Sequence, residues 1–295
     1  MGQDILCIGS VLWDVIGRST RTMGVGSDVP GRITRLPGGV AMNIAMGLAR
    51  FGLRPVLLTA VGDDAAGDEL MAACERLGLE TAHVSRGHGL PTDQYMALES
   101  PDGLIAAIAD AHSLEAAGDA ILTPLEDGTL GSTEAPFTGL IALDGNLTEV
   151  LLADIATRPA FAQADLRVAP ASPGKATRLR ALFAHPRASF YVNLEEAGLI
   201  LGTVFTNAPR AAEALVEAGL AQALVTDGSD TAAEGTRAGI VTATPPQVTV
   251  ARVTGAGDTF MAAHIAAQAR GLDGEAALQT ALNAAATYVS GQDPT

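Results

Sequence analysis

Six short apolar runs, at residues 5–8, 56–61, 140–143, 166–169, 190–192 and 223–225, recur along the 295-residue chain with helical patterns between them. Runs without polar alternation suit strands buried on both faces, as in a parallel sheet covered on each side by crossover helices. Val40, Ile44, Leu48 and Phe51 fall four, four and three residues apart, and Leu70, Cys74 and Leu77 four and three apart. Gly52 and Gly78 follow as helix stops. Strand and helix alternation of this kind predicts a doubly wound α/β fold in a single domain over residues 1–295.

Two stretches, 18–36 and 89–109, break the rhythm. Alternation near Tyr95 and the turn Ser100-Pro-Asp-Gly103 predict a hairpin of 94–98 with 104–108. Together the two stretches predict a small, discontinuous β lid at about 15–36 and 89–110.

Composition excludes several function classes. The chain is 48% hydrophobic, yet no run reaches the roughly 18 apolar residues of a membrane span. A formal charge of −15 without a basic cluster disfavours nucleic-acid polymers and anionic membranes as partners. Cys7 and Cys74 fall in apolar patterns and read as buried hydrophobes, not as a disulfide or metal pair. The N-terminus shows no signal-peptide pattern, so a cytoplasmic location is expected. Lys175 is the only lysine, so a phosphate site must use backbone N–H groups, arginine or a bound cation.

The sharpest motif is Thr254-Gly-Ala-Gly-Asp258, after a strand-like stretch at 247–253 and at the start of a helix expected to run to about Arg270. Gly255, Ala256 and Gly257 at a helix N-terminus offer backbone N–H groups to an anion. Asp258 would repel a phosphate as a ligand but is well placed to take a proton from an attacking hydroxyl. The same residues also satisfy a plain glycine-rich turn with an acidic first helical turn. Pro173-Gly-Lys175-Ala lacks P-loop spacing, and the first strand lacks a dinucleotide fingerprint.

This segment resembles the second signature of the ribokinase-like (PfkB-type) carbohydrate and nucleoside kinases. Pro37-Gly38-Gly39-Val-Ala-Met-Asn43 resembles their first signature, and Ile8-Gly-Ser-Val-Leu-Trp-Asp14 their opening segment with its substrate-binding aspartate. Val61-Gly-Asp-Asp-Ala-Ala-Gly67, Asn193-Leu-Glu-Glu196 and Val225-Thr-Asp-Gly228 follow in the same order, so the resemblance covers nearly the whole chain. It implies a ribokinase-like sheet with a small β lid, ATP and Mg²⁺ as cofactors, a nucleoside or sugar substrate, and a homodimer formed through the lid.

By the same resemblance, Asp258 is the base, with Gly255, Ala256 and Gly257 as its anion hole. Asp14, Gly38, Gly39 and Asn43 hold the substrate; Asn193, Thr226, Gly228, Asn283, Gly255 and Gly257 line the nucleotide site. Glu196 and Asn193 orient Mg²⁺ through water. Asp14 as a turn residue, and Glu196 as dipole compensation, are the plain structural alternatives. His264, one turn inside the helix, reads as a packed residue.

Arg252-Val253 replace the Asp-Thr often found before the second signature, so weak dependence on a monovalent cation is expected. Within the family the chain is most similar to the pseudouridine kinases, through Pro30-Gly31-Arg-Ile33, Thr92-x-Gln94-Tyr95, Ala107-Ile-Ala-Asp110 and Leu143-Asp144-Gly-Asn146. That similarity implies Thr92, Gln94, Asp110 and Asn146 as further substrate contacts. Another sugar or nucleoside kinase of the fold, acting on ribose, adenosine or uridine, and a non-catalytic nucleoside sensor stand as the alternatives.

Overall fold

The computed structural model describes residues 4–87 and 89–294. Residues 1–3, part of the N-terminal leader reading, lie outside the described residues. The chain begins β1 (Asp4–Ile8), β2 (Leu12–Arg18), β3 (Arg32–Gly38), α1 (Val40–Arg50), β4 (Arg54–Leu58), α2 (Ala65–Arg76), β5 (Gln94–Ser100), β6 (Gly103–Asp110) and α3 (His112–Ala117). It continues through β7 (Leu140–Asp144), α4 (Glu149–Thr157), β8 (Asp165–Ala169), β9 (Ala188–Asn193), α5 (Leu194–Leu201) and α6 (Ala208–Glu217). Last come β10 (Gln222–Thr226), β11 (Ala232–Thr236), β12 (Gly239–Ala243), α7 (Ala256–Ala269) and α8 (Gly274–Val289).

The large sheet has the order β12-β11-β10-β9-β8-β7-β1-β4. Its six predicted strands are all present and mutually parallel, with β11 and β12 added as an antiparallel edge. Both faces of β1 are buried: Leu6 and Ile8 join a core with Phe161 and Phe190, while Ile5 and Cys7 join a second core with Leu48 and Ile265. Burying each large side chain stabilises by about 1.5–3 kcal/mol, which explains runs that carry no polar alternation. Among the described residues no helix is long and apolar enough to cross a membrane.

A ribokinase-like α/β fold results, with a separate four-stranded sheet of order β3-β2-β5-β6. The predicted hairpin is present as β5 and β6, closed at Pro101-Asp102. Register divides this sheet into two faces. Asp14 lies opposite Leu36 and Tyr95, whereas Trp13 lies opposite Pro37 and Gln94, and Gln94 opposite Asp110. Neighbours in register share a face and adjacent residues alternate, so Asp14 and Tyr95 occupy one side, Trp13, Gln94 and Asp110 the other.

Two local expectations are corrected. Residues 247–253 form no strand: the N–H groups of Ala251 and Arg252 donate to the Val289 carbonyl at the end of α8, leaving no strand partner, and Val250 and Val253 are exposed. Leu77 lies at the C-cap of α2 and is 43% exposed, because α2 ends one residue before it.

Candidate active site

From β1 the chain moves outward to β4, then returns across β1 to build β7, β8, β9 and β10 on the other side. The crevice beyond the C-terminal ends of β1 and β7 is therefore the topological switch point, where open α/β sheets bind ligands. Ser10 follows β1 there and Asp144 ends β7. Asp144 is fully buried and accepts bonds from Ser10 N at 2.7 Å, Ser10 Oγ at 2.8 Å, Ala41 N at 3.0 Å and Asn146 N at 2.7 Å. It thus anchors the N-terminus of α1 from inside. Asn146 Nδ2 donates to Ser10 Oγ at 2.8 Å, and Lys175 Nζ donates to Asn146 Oδ1 at 2.6 Å. Burial lowers the Lys175 pKa.

Asp14 stands in the middle of β2, not in a turn after β1. Gly38 is its necessary neighbour: a Cβ there would lie 2.0 Å from Asp14 Oδ2. Burial pushes the Asp14 carboxyl up to about 6. Gly39, the N-cap of α1, runs close under Ser10, whose carbonyl oxygen would be 2.4 Å from an added Cβ.

Asp258 lies in the first turn of α7, partly open, and accepts a hydrogen bond from Asn43 Nδ2 at 2.9 Å. Helix packing arranges this contact. Asn43 and Gly47 share one face of α1, Asp258 and Ala262 one face of α7, and a Cβ on Gly47 would lie 2.6 Å from that of Ala262. Close approach one turn away thus delivers Asn43 to the carboxylate. Burial pushes the Asp258 carboxyl up to about 7; the bond from Asn43 opposes this, and the charges of Asp144, Glu196 and Asp14 add to it. A carboxyl tuned close to neutrality is suited to accepting and releasing a proton.

Gly255 caps α7 in the left-handed region at φ 87°, with no side-chain cap; the Ala256 N–H, expected in the anion hole, instead donates to the Val253 carbonyl at 3.0 Å, closing the turn that leads into the helix. A side chain at 255 would be strained in that conformation and would also strike Tyr288 Oη, 2.6 Å from the Cβ position. Around Gly257 a Cβ would meet nothing within 4 Å, so the N-terminus of α7 faces open space.

Asn193 and Thr226 are paired in register at the C-terminal ends of β9 and β10. Asn193 caps α5 in a reciprocal box, its Oδ1 accepting from Glu196 N at 2.8 Å while Glu196 Oε2 accepts from Asn193 N at 2.9 Å. Glu196 is buried, and that burial raises its pKa. Gly228 takes the turn after β10 at φ 56°. Asn283, on α8, accepts from Gln279 Nε2 at 3.0 Å.

The family model for "pfkB family carbohydrate kinase" matches residues 3–295. The chain belongs to the pfkB family. It is 33% identical over 143 residues to the uncharacterized sugar kinase YeiI of Escherichia coli (strain K12), covering 48% of this chain and 38% of that one. It is 35% identical over 107 residues to pseudouridine kinase of the same organism, covering 36% of this chain and 34% of that one. The matches thus span little more than a third of these curated relatives. Among solved structures, ribokinase of Arabidopsis thaliana complexed with ribose and ATP aligns over 98% of this chain and 93% of that chain, with a TM-score of 0.76 and 20% identity, a likeness of fold.

Within this pfkB protein the structure brings Asp14, Gly38, Gly39, Asn43 and Asp258 into one cleft, with Asn146 at its switch-point end. It does not bring Thr92, Gln94 and Asp110 there. Thr92 is buried and bonded to Asp64, through its hydroxyl at 2.5 Å and its N–H at 2.9 Å, beside the N-terminus of α2. Gln94 and Asp110 lie on the Trp13 side of the small sheet, and Asp110 pairs with His112 Nδ1 at 2.6 Å. His264 is packed as expected, fully buried and 2.8 Å from the Tyr191 hydroxyl. Ser10 and Lys175 escaped the sequence reading as site residues. Their signals were the position of Ser10 directly after β1 and the rarity of lysine.

Proposed function

We propose that the protein is an ATP-dependent kinase that transfers the γ-phosphoryl group to a hydroxyl of a nucleoside or sugar. The observation that carries this is Asp258, a carboxyl raised to about 7, oriented by Asn43 and placed beside the uncapped N-terminus of α7. A hydroxyl bound near Asp14 gives its proton to Asp258 as its oxygen bonds to the γ-phosphorus, and the bond from that phosphorus to the bridging oxygen breaks. The N–H groups of Gly255 and Gly257 meet the charge that develops on the transferring group.

Mg²⁺ fits the residues present. Glu196 and Asn193 are a carboxylate and an amide fixed in one box at a strand end. Among the described residues no group of three or more His, Cys, Asp or Glu could hold a metal by itself. Mg²⁺ suits such a setting because it keeps water and takes substrate phosphates as ligands. When bound, it would neutralise triphosphate charge; Glu196 and Asn193 would orient its water.

For the acceptor, we propose pseudouridine, phosphorylated at its 5′-oxygen. Support comes from the stretch 35% identical to the E. coli pseudouridine kinase. The extra N–H of that base needs an acceptor, and Tyr95, on the same face as Asp14, is the side chain that the sheet register offers. A sugar acceptor is the second reading, favoured by the longer match to the E. coli sugar kinase. ADP release across a panel of nucleosides and sugars decides: pseudouridine should give the highest kcat/KM. Equal or better use of uridine, adenosine or ribose would overturn the substrate while leaving the kinase, and no turnover of any acceptor would overturn both.

We also propose a homodimer through the outer face of the small sheet. Ile33, Met96, Leu98 and Ile108 share the Trp13 side there and are 76%, 48%, 44% and 69% exposed. An apolar sheet face of this kind is a liability unless covered. Sedimentation should report twice the chain mass.

A further inference from the structure

In the loop that leads into the N-terminus of α7, Arg252 ties the backbone to the chain at and just beyond the end of α8. Arg252 Nε donates to the Tyr288 carbonyl at 2.9 Å, and Nη2 donates to the Gln292 carbonyl at 3.0 Å and to Asp293 Oδ1 at 2.8 Å. The guanidinium also lies 3.7 Å from the centroid of the Tyr288 ring. Tyr288 lies in the last turn of α8, where the helix dipole is negative, and Gln292 and Asp293 follow just beyond its C-cap Ser290. The last turn of α8 carries no basic residue of its own. Arg252 supplies that charge from a different segment.

Its effect reaches the anion hole through Tyr288. The Tyr288 hydroxyl donates to the Thr254 carbonyl at 2.9 Å and fills the space beside Gly255 that a Cβ would enter. The backbone adds two further ties, from Ala251 N and Arg252 N to the Val289 carbonyl at 2.8 and 3.1 Å. Asp293 also faces Arg50, at 3.8 Å, at the last residue of the helix that carries Asn43. Arg252, Tyr288 and Thr254 therefore form one chain from the end of α8 to the residue before Gly255. Burial raises the Tyr288 pKa; the Arg252 guanidinium opposes that rise and the charge of Asp258 adds to it.

We propose that Arg252 is a positioning residue for phosphoryl transfer: a tethered cation that fixes Tyr288 against the 254–255 backbone and so holds the N–H groups of Gly255 and Gly257 in place. It touches neither substrate nor nucleotide in this role. The inference rests on the kinase reading above, so its test carries one measurement of activity and one that needs no turnover.

Arg252→Met keeps the side chain's apolar length and removes the guanidinium. A misplacement of about 1 Å costs about 10²-fold in rate, so the variant should lose about that factor in kcat, with both KM values within about threefold. Added methylguanidine should restore at least about a tenth of the lost kcat by filling the vacated site, while tetramethylammonium, which has no N–H donors, should not. Amide hydrogen exchange of residues 253–259 should quicken in the variant and slow again with methylguanidine. Tyr288→Phe should lower kcat in the same direction, and the double variant should be no worse than the worse single one, because both act through one unit. Unchanged kcat and exchange in Arg252→Met would overturn the proposal. So would a loss that follows the melting temperature alone, without rescue, or losses that add in the double variant. If the parent enzyme turns over no acceptor, the kinase reading fails, and the exchange measurement with and without methylguanidine still decides whether Arg252 holds this loop.

Discussion

Asp258→Asn should inactivate the enzyme and stabilise the fold. The variant preserves shape, and its side-chain oxygen can still accept from Asn43 Nδ2, now 2.9 Å from the carboxylate. What it removes is a charge held in an unfavourable place. Burial, with Asp144, Glu196 and Asp14 nearby, raises the carboxyl from 3.8 to about 7. At about 1.36 kcal/mol per tenfold change in the ionisation equilibrium, that rise sets an upper bound of about 4 kcal/mol on the cost of ionising it in the folded state. Asp258 remains partly open to the cleft, where water offsets much of this, so a net gain of about 1–2 kcal/mol is expected.

The sign follows from the raised value. The parent's protonated carboxyl contributes its full stability below about pH 4, and that contribution is lost as pH rises through about 7. Asparagine has no such titration. The variant's advantage should therefore grow between pH 4 and 7 and level off above, appearing in ligand-free melts as a gain of about 2–6 °C at pH 8 and less at pH 5. Activity should fall by about 10²–10⁴-fold, and the parent's kcat/KM should decline below about pH 7 as the base takes up its proton. An advantage equal at pH 5 and pH 8, or a variant less stable than the parent at pH 8, would refute the buried-charge argument. Near-normal turnover would remove Asp258 as the base.

Glu196→Gln should raise the Mg²⁺ concentration needed for half-maximal rate, since its carboxylate would orient metal-bound water; an unchanged magnesium titration removes Glu196 from that role. Activation by K⁺ over a large inert cation should stay below about tenfold, because like charges about 4 Å apart repel by about 4 kcal/mol at an effective dielectric of 20 and Arg252 already holds the Tyr288 and Gln292 carbonyls. Gly47→Ala should destabilise by about 1–3 kcal/mol and lower kcat, because its methyl would stand 2.6 Å from that of Ala262 and spread α1 from α7. A parent-like melting temperature and rate in that variant would show that the helices tolerate the spread.

The sheet core was legible because burial on both faces leaves a plain mark: the six apolar runs have no room for polar residues. The proposed base stood out because Gly255 and Asp258 lie within one motif. Partners brought together from far apart left no such mark. Asn43 and Asp258 are 215 positions apart, and nothing in either segment announces that Gly47 lets α1 approach α7. The face taken by Gln94 and Asp110 was hidden for a similar reason. A period of two tells that adjacent residues face opposite ways, but only the pairing of β5 with β2 tells which way, and it sets Gln94 beside Trp13 and Tyr95 beside Asp14. The strand expected at 247–253 was misplaced because alternation of Val248 and Val250 imitates a sheet edge, while the end of α8 takes the backbone donors of Ala251 and Arg252.

The two helix N-termini in the cleft differ in a way that assigns their work. At α1, Asp144 accepts from Ala41 N, and Ser10 Oγ from Val40 N, so an internal anion already occupies that end. At α7 no side chain caps the helix, Gly257 faces open space, and Tyr288 holds the Thr254 carbonyl from behind. Both ends carry the same partial positive charge, yet only the second, where the Ala256 N–H is taken by the Val253 carbonyl, leaves the Gly257 N–H to an incoming ligand. Asp14, Glu196 and Asp258 turn further negative charge toward the same space, in a chain of net charge −15 with one lysine. On the proposed reading, a polyanionic phosphoryl donor would meet repulsion from those carboxylates, so its place would be the uncapped end of α7, with a divalent cation offsetting the charge on the Glu196 side. The hydroxyl acceptor, which carries no charge, is then the partner that the Asp14 side can admit.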